Sequence, residues 1–210
     1  MLTNKRIFGK LTSFLRTVEP RLENNTQIEE FIWKNMVPER LYKKSMILHE
    51  ADQLVKKAYY VVSGFVLLYS FDNAGRKLVF RIYAGGSMVI RNSFLQGKKS
   101  PCYIWVCKDS VLKSLSYDDY KNGCLTIPGL EKLALKIANF YEPEELLRNI
   151  LLSQPAIDAV RSFYLTFKAL LPPGKILTDT YIASYLNITL STLKESRKTL
   201  KEKGLINFNS

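Results

Sequence analysis

Hydrophobic residues change their spacing along the chain, and these changes predict a helical start, a β-rich middle and a helical end. Residues 3–37 have helical spacing, with Ile7, Leu11 and Leu15 on one face. Pro38 should end this region, because a proline disfavours helical backbone in the residue before it. We expect these helices to pack on the domain that follows rather than to anchor the chain in a membrane, since their few basic residues alternate with acidic ones.

From Lys44 onward, the alternation is that of short β-strands rich in Val, Tyr, Phe and Leu. The predicted strands are 45–49, 58–62, 65–71, 77–83, 88–90, 103–107 and 111–115. Ser63-Gly64 and the run Asp72–Gly75 have the composition of hairpin turns. Many short strands at regular spacing predict an antiparallel sandwich or barrel.

Helical spacing returns over 117–152, where apolar residues line one side of a long predicted helix. These residues are Leu130, Leu133, Ala134, Ile137, Ala138, Tyr141, Leu146, Leu147, Ile150 and Leu151. Pro143 should kink or interrupt the helix. So much apolar surface needs a partner, which is either a second copy of the chain or the chain's own domain.

The rest of the chain is also predicted to be mostly helical. A helix over 153–171 should end at the run Pro172-Pro173-Gly174. Near the end of the chain, Gly204 should stop the last helix, and 205–208 has the composition of one short strand.

Residues 179–198 predict two short helices joined by a tight turn. Ile182 and Leu186 give the first helix an apolar face. Asn187 tolerates the left-handed backbone that a sharp turn needs. Thr189 is the predicted N-cap of the second helix.

The second of these helices combines an apolar stripe with a strongly basic remainder. Leu193 and Leu200 form the stripe. The pattern is typical of a DNA-binding helix-turn-helix, whose second helix lies in the major groove, although any helical hairpin with a basic face shares it. The candidate DNA-contacting residues are Thr189, Leu190, Ser191, Thr192, Lys194, Glu195, Arg197, Lys198 and Lys201.

Composition narrows the choice of partner. The chain has 210 residues, and its 31 Lys and Arg exceed its 19 Asp and Glu to give a net charge of +12. This excess suits nucleic acid or an anionic membrane surface. No apolar run is long enough to span a bilayer, and the N-terminus lacks the features of a signal peptide. The three cysteines have no framework spacing, which indicates a reducing cytoplasm.

Two motifs, in this order of parts, resemble those of the Crp/Fnr family of bacterial transcription regulators. The run Tyr60–Tyr69, followed by Gly75-Arg76-Lys77, is similar to the family's strand–glycine–strand hairpin and its turn glycine. The run Ile182–Thr189, followed by Thr192-Leu193 and Arg197-Lys198, is similar to the DNA-binding signature of the subgroup common in Bacteroidetes.

This resemblance implies an α+β fold. An N-terminal antiparallel jelly-roll domain of the cyclic-nucleotide-binding type should be followed by a long dimerisation helix and a C-terminal, winged-helix-like helix-turn-helix domain. The expected boundaries are 1–125 for the sensor domain with its N-terminal helices, 126–152 for the dimerisation helix and 153–210 for the DNA-binding domain. The resemblance also implies a homodimer that places two recognition helices in successive major grooves of double-stranded DNA.

The sensor domain departs from the cyclic-nucleotide-binding members of the family. In those members a glutamate contacts the ribose, and an arginine followed by a small hydroxyl residue holds the cyclic phosphate. The corresponding positions here are Arg91, Lys99 and Ser100. Losing the ribose acceptor costs affinity, and lysine lacks arginine's bidentate fork, so tight binding of cyclic AMP is not expected. These residues form either a candidate effector pocket for another small anion or a solvated basic loop, which charge runs favour.

The recognition helix departs from the family pattern as well. Many relatives carry Glu at the position of Ser191 and Arg at that of Glu195, a pair that reads a G·C-containing half-site. Glu195 either accepts from cytosine N4 or pairs with a neighbouring cation, while Leu190 suits a thymine methyl group. Ser196 lies where such helices present an apolar residue to the core. These departures leave a second reading open: a ligand-sensing or protein-interaction module of this fold that has lost sequence-specific DNA reading.

Residue patterns typical of catalysis are missing from the sequence. It contains no His-centred acid–base pair, nucleophile elbow, phosphate-cradling glycine loop or metal-ligand spacing. Its three cysteines cannot supply the four ligands of an Fnr-type iron–sulfur cluster. His49 is the only histidine, and we interpret it as structural. We therefore expect no enzyme activity, no metal and no cofactor.

Overall fold

The structure is a computed structural model that describes residues 4–24, 26–171 and 176–207. Its α-helices are α1 (Asn4–Val18), α2 (Thr26–Asn35), α3 (Asn92–Leu95), α4 (Tyr117–Thr126), α5 (Leu130–Asn139), α6 (Glu142–Leu152), α7 (Ala156–Thr166), α8 (Asp179–Tyr185) and α9 (Leu190–Glu202). Its strands are β1 (Val37–Tyr42), β2 (Met46–His49), β3 (Lys57–Ser63), β4 (Phe65–Phe71), β5 (Lys77–Ala84), β6 (Met88–Val89), β7 (Tyr103–Val106) and β8 (Ser110–Ser116). Short 3₁₀ helices cover Pro20–Asn24 and Lys168–Leu170.

The strands form two four-stranded sheets with the connectivity of a jelly roll. One sheet has the order β1-β8-β3-β6, and the other has the order β2-β7-β4-β5. The pairing is antiparallel, with Tyr59 of β3 opposite Ser114 of β8. The predicted α+β fold with an antiparallel jelly roll is therefore confirmed.

The chain divides into two compact units. The first unit contains Met1–Leu67 and Ile82–Tyr141, and the second contains Leu68–Arg81 and Glu142–Ser210. The tip of the β4–β5 hairpin is thus part of the same unit as the helix-turn-helix.

In the first unit, helices cover one face of the β1-β8-β3-β6 sheet. Ala58, Tyr60 and Val62 alternate along β3 and are buried in one cluster with helical residues such as Leu11 and Ile137. The cluster draws on α1, α2, α4 and α5, and burial of such apolar surface contributes about 25 cal/mol per Å². The prediction that the N-terminal helices pack on the following domain is confirmed.

Strand β1 is not predicted by the sequence pattern. It contains Pro38, which we expected only to end the preceding helix. A proline lacks a backbone N–H and is tolerated in a strand that lies at the edge of a sheet. Because β1 is an outer strand of its sheet, both roles are compatible.

The long helix expected over 126–152 is instead two helices, α5 and α6. They are separated at Phe140 and Tyr141, next to Pro143. This proline lies in the first turn of α6, where its missing N–H would have no intrahelical partner. The interruption expected at Pro143 is therefore present, and the predicted helical region consists of two helices.

In the second unit, α7, α8 and α9 share an apolar core. Val160, Phe163, Ile182, Leu193 and Leu200 are all buried there. The small side chain of Ala183 is also buried on α8. The apolar faces predicted for both helices of the helix-turn-helix are thus the faces that pack.

The sharp turn between α8 and α9 depends on Asn187. Its φ angle is 52°, in the left-handed region that asparagine tolerates better than most residues. Its N–H donates to the carbonyl of Ser184 at 3.1 Å, and that of Ile188 donates to the carbonyl of Ala183 at 3.0 Å. These two bonds satisfy carbonyls at the end of α8 in the manner of a Schellman motif.

Helix α9 ends at Glu202, two residues before Gly204, whose φ angle of 63° is left-handed. The N–H groups of Gly204 and Leu205 donate to the carbonyls of Lys201 and Leu200 at 3.0 and 2.9 Å. Over 205–207 the chain bends and forms no strand, so the strand predicted there is not found in that part. Phe208 and the predicted stop at Pro172–Gly174 lie outside the described residues.

Candidate DNA interface

One face of α9 is exposed and carries most of the predicted DNA-contacting residues. Leu193, Ser196 and Leu200 are buried on the opposite side. The exposed set, here termed the α9 face, consists of Leu190, Ser191, Lys194, Glu195, Lys198 and Lys201. Three lysines against one glutamate give this face a net positive charge, which suits a phosphate backbone.

The first turn of α9 is held by a side-chain cap from Thr189. Its Oγ1 accepts the N–H of Thr192 at 3.1 Å and lies 2.8 Å from the hydroxyl oxygens of Ser191 and Thr192. The predicted N-cap is confirmed. Thr192 is half-buried. The cap orders the end of α9 where Leu190 and Ser191 begin the exposed face.

Arg197 was predicted to contact DNA, but it points into the helical domain. Its Nη1 lies 2.8 Å from Oδ2 of Asp179 on α8, and the side chain is only 12% exposed. Its Nε donates to the hydroxyl of Tyr164 on α7 at 2.7 Å. Turning this guanidinium towards DNA would leave the Asp179 carboxylate without its cation. We therefore correct the prediction: Arg197 holds α7, α8 and α9 together.

Tyr164 is suited to this contact because it is fully buried. Burial raises the pKa of its hydroxyl to about 12, although the nearby Arg197 acts in the opposite direction. The phenol is therefore neutral near pH 7 and accepts the hydrogen bond as a neutral group. The opposite charges of Asp179 and Arg197, each at the edge of an apolar helix face, are the sequence signal for this ion pair.

Glu195 is exposed on the α9 face, and two nearby cations have other carboxylate partners. Arg197 pairs with Asp179, and the Lys198 ammonium lies 3.9 Å from a Glu202 oxygen one helical turn away. Exposed pairs of the latter kind contribute little stability. The ion pair of Glu195 with Arg197 or Lys198 that the sequence left open is not formed.

Sequence reasoning missed two polar residues that bond to the β4–β5 hairpin. The Ser184 hydroxyl on α8 accepts the N–H of Val79 at 2.9 Å, and the Arg148 guanidinium on α6 donates to the Val79 carbonyl at 3.2 Å. No local pattern marks Ser184 or Arg148, because their partner strand is distant in sequence.

A separate cavity lies in the first unit, lined by residues of β1, β2, β3 and β8 and of the loop after β2. Its volume is about 870 Å³. Four of its lining residues are basic and two are acidic: Arg40, Lys56, Lys57 and Lys99 against Glu50 and Asp52. The Arg40 guanidinium lies 5.0 Å from the centre of the Tyr42 ring, which also lines the cavity. The excess of cations is chemically suited to a small anion.

His49 lines the same cavity but is not arranged as a ligand for a metal ion. Its Nε2 lies 3.2 Å from the backbone oxygen of Gln53. Burial lowers the pKa of the imidazole, so His49 is neutral near pH 7. The interpretation of His49 as structural agrees with this geometry.

The three residues of the candidate effector pocket do not converge on this cavity. Lys99 is exposed and lines it, whereas Arg91 and Ser100 do not. Arg91 is half-buried at the start of α3, where its carbonyl accepts the N–H of Phe94 at 2.9 Å. Ser100 is buried, and its hydroxyl donates to the Cys102 carbonyl at 2.8 Å and accepts the Cys102 N–H at 3.2 Å. Anion binding by Ser100 would require its hydroxyl to leave these bonds.

Residues 4–24, 26–171 and 176–207 contain neither a membrane-spanning helix nor a cluster of metal-binding side chains. No helix there combines the length and apolar character needed to cross a bilayer. Nor do three or more His, Cys, Asp and Glu side chains in those ranges gather closely enough to hold a metal ion.

Residues 38–126 match the sequence model of the cyclic nucleotide-binding domain. This match covers most of the jelly roll, from β1 to the end of α4. No curated protein sequence shows significant similarity to the chain.

Solved structures extend the likeness to most of the chain. FixK2 from Bradyrhizobium japonicum has a TM-score of 0.70 at 18% sequence identity, covering 82% of this chain and 88% of that chain. A protein from Eubacterium rectale, described as a transcriptional regulator of the Crp/Fnr family, has a TM-score of 0.68 at 18% identity, with 91% and 90% covered. The c-di-GMP-responsive global regulator CLP of Xanthomonas campestris has a TM-score of 0.64 at 16% identity, with 89% and 96% covered. The chain therefore has the fold of Crp/Fnr regulators.

The internal role of Arg197 is testable by comparing its loss with that of an exposed neighbour. We expect Arg197→Ala to lower the free energy of unfolding by on the order of 2 kcal/mol, because it leaves the Asp179 carboxylate unpaired. Lys198→Ala should change stability by less than about 0.5 kcal/mol, since its ion pair is exposed. Urea denaturation followed by circular dichroism measures both, and equal small effects would contradict the assignment of Arg197.

Proposed function

We propose that the protein is a sequence-specific, DNA-binding transcription regulator of the Crp/Fnr type. The observation that carries this proposal is the α9 face, a capped and net positive helix surface on a helix-turn-helix. The fold shared with regulators of that family supports it. We further propose that the chain belongs to the family, in the subgroup common in Bacteroidetes, and that it acts in the cytoplasm without catalysing a reaction.

The chemistry of the α9 face divides it into base-reading and phosphate-binding residues. Residues near the start of a recognition helix contact base edges. In α9 these residues are Leu190, Ser191, Lys194 and Glu195. A leucine side chain suits the thymine methyl group, and a glutamate accepts from cytosine N4. We assign to Lys198 and Lys201, further along α9, phosphate contacts that are sensitive to salt.

Selection from a random pool of double-stranded DNA tests the proposal directly. A dimeric reader should enrich a two-fold symmetric motif whose half-sites lie about one helical turn apart. The half-site would then identify what Ser191 and Glu195 read. No enrichment, together with only weak and salt-sensitive retention of DNA, would contradict sequence-specific reading.

Two lysines of the α9 face should contribute separately to DNA affinity. We expect Lys194→Ala and Lys198→Ala both to weaken binding and to reduce its salt slope, because each removes a positive charge from the interface, and loss of the Lys198 phosphate contact should reduce the slope by about one. Lys10→Ala removes the same charge from an exposed position on α1 and should leave affinity and slope unchanged. Unchanged binding in both α9 variants, measured by fluorescence anisotropy across a salt series, would remove them from the interface.

We also propose that the protein is a homodimer that uses α6. No residue of α6, every one of which is described, is buried, and Leu146 and Leu147 are 62% and 64% exposed. Ile150, one turn further on, is 49% exposed. An apolar stripe of this kind on a helix favours association with the same stripe of a second copy.

Charge introduced on this stripe should separate the two copies. We expect Leu147→Glu to convert the dimer to monomer in sedimentation velocity, because burying an unpaired carboxylate is unfavourable. Leu165→Glu places the same charge on α7, at another exposed leucine, and should not change the sedimentation coefficient. A monomeric wild-type protein at micromolar concentration would contradict the proposed dimer.

The sensor domain, in our proposal, does not bind cyclic AMP tightly. Arg91 cannot accept hydrogen bonds from ribose hydroxyls, and Lys99 offers a point charge where a fork would be needed. We propose instead that the basic cavity containing Lys99 accepts a different small anion, if the protein has an effector. A solvated basic surface remains the alternative for these residues.

Calorimetric titration tests the absence of tight cyclic AMP binding. We expect no saturable heat when cyclic AMP is added at up to tenfold molar excess over micromolar protein. Saturable heat that disappears in Lys99→Ala would show that a lysine suffices to hold the cyclic phosphate, and would overturn this part of the proposal.

A second candidate function is a ligand-sensing or protein-interaction module of the same fold that no longer reads DNA. The observation that favours it is the negative charge of Glu195 in the middle of the α9 face. A steep fall of DNA affinity with salt, together with preference for one site, would decide for the regulator. Salt-sensitive binding without site preference would decide for the module.

A further inference from the structure

The basic cavity of the first unit also has an apolar side. Val37, Met46 and Leu54 line it, and their side chains are 52%, 42% and 55% exposed. A single exposed apolar side chain is ordinary on a protein surface. Three that line the same concave surface indicate a place where an apolar group of a ligand binds.

Backbone hydrogen bonds bring the apolar and the basic sides of the cavity together. Leu54 pairs with Lys99 in an isolated antiparallel bridge, and side chains opposite each other in such a pair are neighbours. The same two segments are joined by the N–H of Asp52, which donates to the carbonyl of Ser100 at 2.8 Å. In return, the N–H of Ser100 donates to the carbonyl of Gln53 at 2.9 Å. A leucine and a lysine are therefore held side by side on one rim of the cavity.

Two tyrosines, Tyr42 from β1 and Tyr59 from β3, form part of the cavity wall. They are 8% and 6% exposed, and neither hydroxyl has a hydrogen-bond partner among the side chains that the structure describes. Burial, together with the neighbouring Tyr42, raises the pKa of Tyr59 to about 12. Burial also raises the pKa of Tyr42, against the effect of Arg40. Both phenols are neutral near pH 7, so each has an O–H to donate to an anion.

The charges around these donors favour an anion over a neutral ligand. The four cations of the cavity exceed its two carboxylates by two. His49 adds no charge near pH 7, because burial lowers the pKa of its imidazole. The Arg40 guanidinium lies 5.0 Å from the centre of the Tyr42 ring, and Lys57 precedes Tyr59 by two residues on the same face of β3. Each phenol therefore has a cation close to it.

The size of the cavity favours an organic ligand over an inorganic ion. Its volume of about 870 Å³ lies within the range of about 300–1,000 Å³ typical of sites for small organic molecules. An inorganic anion bound to the cations would leave the apolar side in contact with water. A ligand that carries both an anionic group and an apolar body matches the two sides at once.

We propose that this cavity binds a small amphipathic organic anion, a carboxylate or similar group on an aliphatic or aromatic body. The inference rests on the anion-binding role proposed for the cavity and names the class of the anion. Tyr42 and Tyr59 donate to the anionic group, Arg40 and Lys57 neutralise it, and the apolar body covers Leu54 and its apolar neighbours.

This site differs from the positions that hold a cyclic nucleotide in relatives. Lys99 is common to both, but Arg91 and Ser100 do not line the cavity, whereas strands β1 and β2 contribute much of its wall. The two phenol donors come from β1 and β3. The ligand class is therefore set by residues outside those positions.

Competition between simple ligands tests the need for both parts of the anion. The probe is an anilinonaphthalene sulfonate, itself an amphipathic anion, whose fluorescence rises when it binds an apolar site. Decanoate, kept below its micelle concentration, should displace the probe with a saturable curve. Decanol has no charge and inorganic phosphate has no apolar body, so each should require a concentration at least about tenfold higher.

Two pairs of variants locate the binding site. We expect Tyr59→Phe to weaken decanoate binding about fivefold, because one donor to the anion is lost. Tyr60→Phe removes a hydroxyl from the next residue of β3, which faces the helices on the other side of the sheet, and should leave binding unchanged. Lys57→Ala should weaken binding about threefold, whereas Lys132→Ala, at an exposed position of α5, should not. Lys57 is exposed, so its variant tests the site even if Tyr59→Phe does not fold.

A third pair of variants tests the apolar side. Leu54→Ala should weaken decanoate binding about fivefold, because less apolar surface is buried with the ligand. Leu125→Ala shortens another exposed leucine, on α4, and should have no effect. Equal decanoate affinity in these two variants would overturn the role of Leu54 in the site.

The outcomes separate this inference from the functions on which it rests. Unchanged decanoate affinity in both Tyr59→Phe and Lys57→Ala, or no displacement by decanoate, would overturn the site. Phosphate that binds as tightly as decanoate would overturn the amphipathic class and leave a small-anion site. DNA selection is independent of these titrations, so a protein that enriches no DNA motif but binds decanoate in this way loses the regulator function and keeps the ligand site.

Discussion

Burial of the Arg197 guanidinium is the interaction on which the second unit most depends. A buried charge is tolerated only when it is paired and hydrogen-bonded, and here Asp179 and Tyr164 supply those partners from two other helices. The requirement fixes how α7, α8 and α9 are rotated relative to one another. Together with the buried Leu193 and Leu200, it leaves the α9 face exposed.

The second unit also contains part of β5. Hydrogen bonds to the backbone groups of this strand connect it to α6 and α8. An edge strand has backbone donors and acceptors that need partners, and Ser184 and Arg148 provide them for β5. The unit that contains the helix-turn-helix therefore also contains the tip of the β4–β5 hairpin, which is distant in sequence.

The first unit combines the fold of a known domain with a cavity rich in cations. Its jelly roll matches the cyclic nucleotide-binding domain over residues 38–126, and its cavity is lined by Arg40, Lys56, Lys57 and Lys99. The hydrophobic alternation that makes the sheets does not depend on those side chains. A sheet of this kind can therefore persist while the ligand it accepts changes, as fold and site are separate questions.

The sequence by itself determined most of the helices and strands, the helix-turn-helix with its cap at Thr189 and its turn at Asn187, and the class of fold. Such features follow from periodicity and local backbone preference, which act between near neighbours in the chain. Pro38 shows the limit of local rules, since it follows the end of a helix and also occupies an edge strand that the pattern did not predict. Only the tertiary structure decided that Arg197 turns inward and that Ser184 bonds to β5. Asp179 and Tyr164 reach Arg197 from two other helices, and Val79 lies 105 residues from Ser184 in sequence, so the pattern around each residue does not specify its partner.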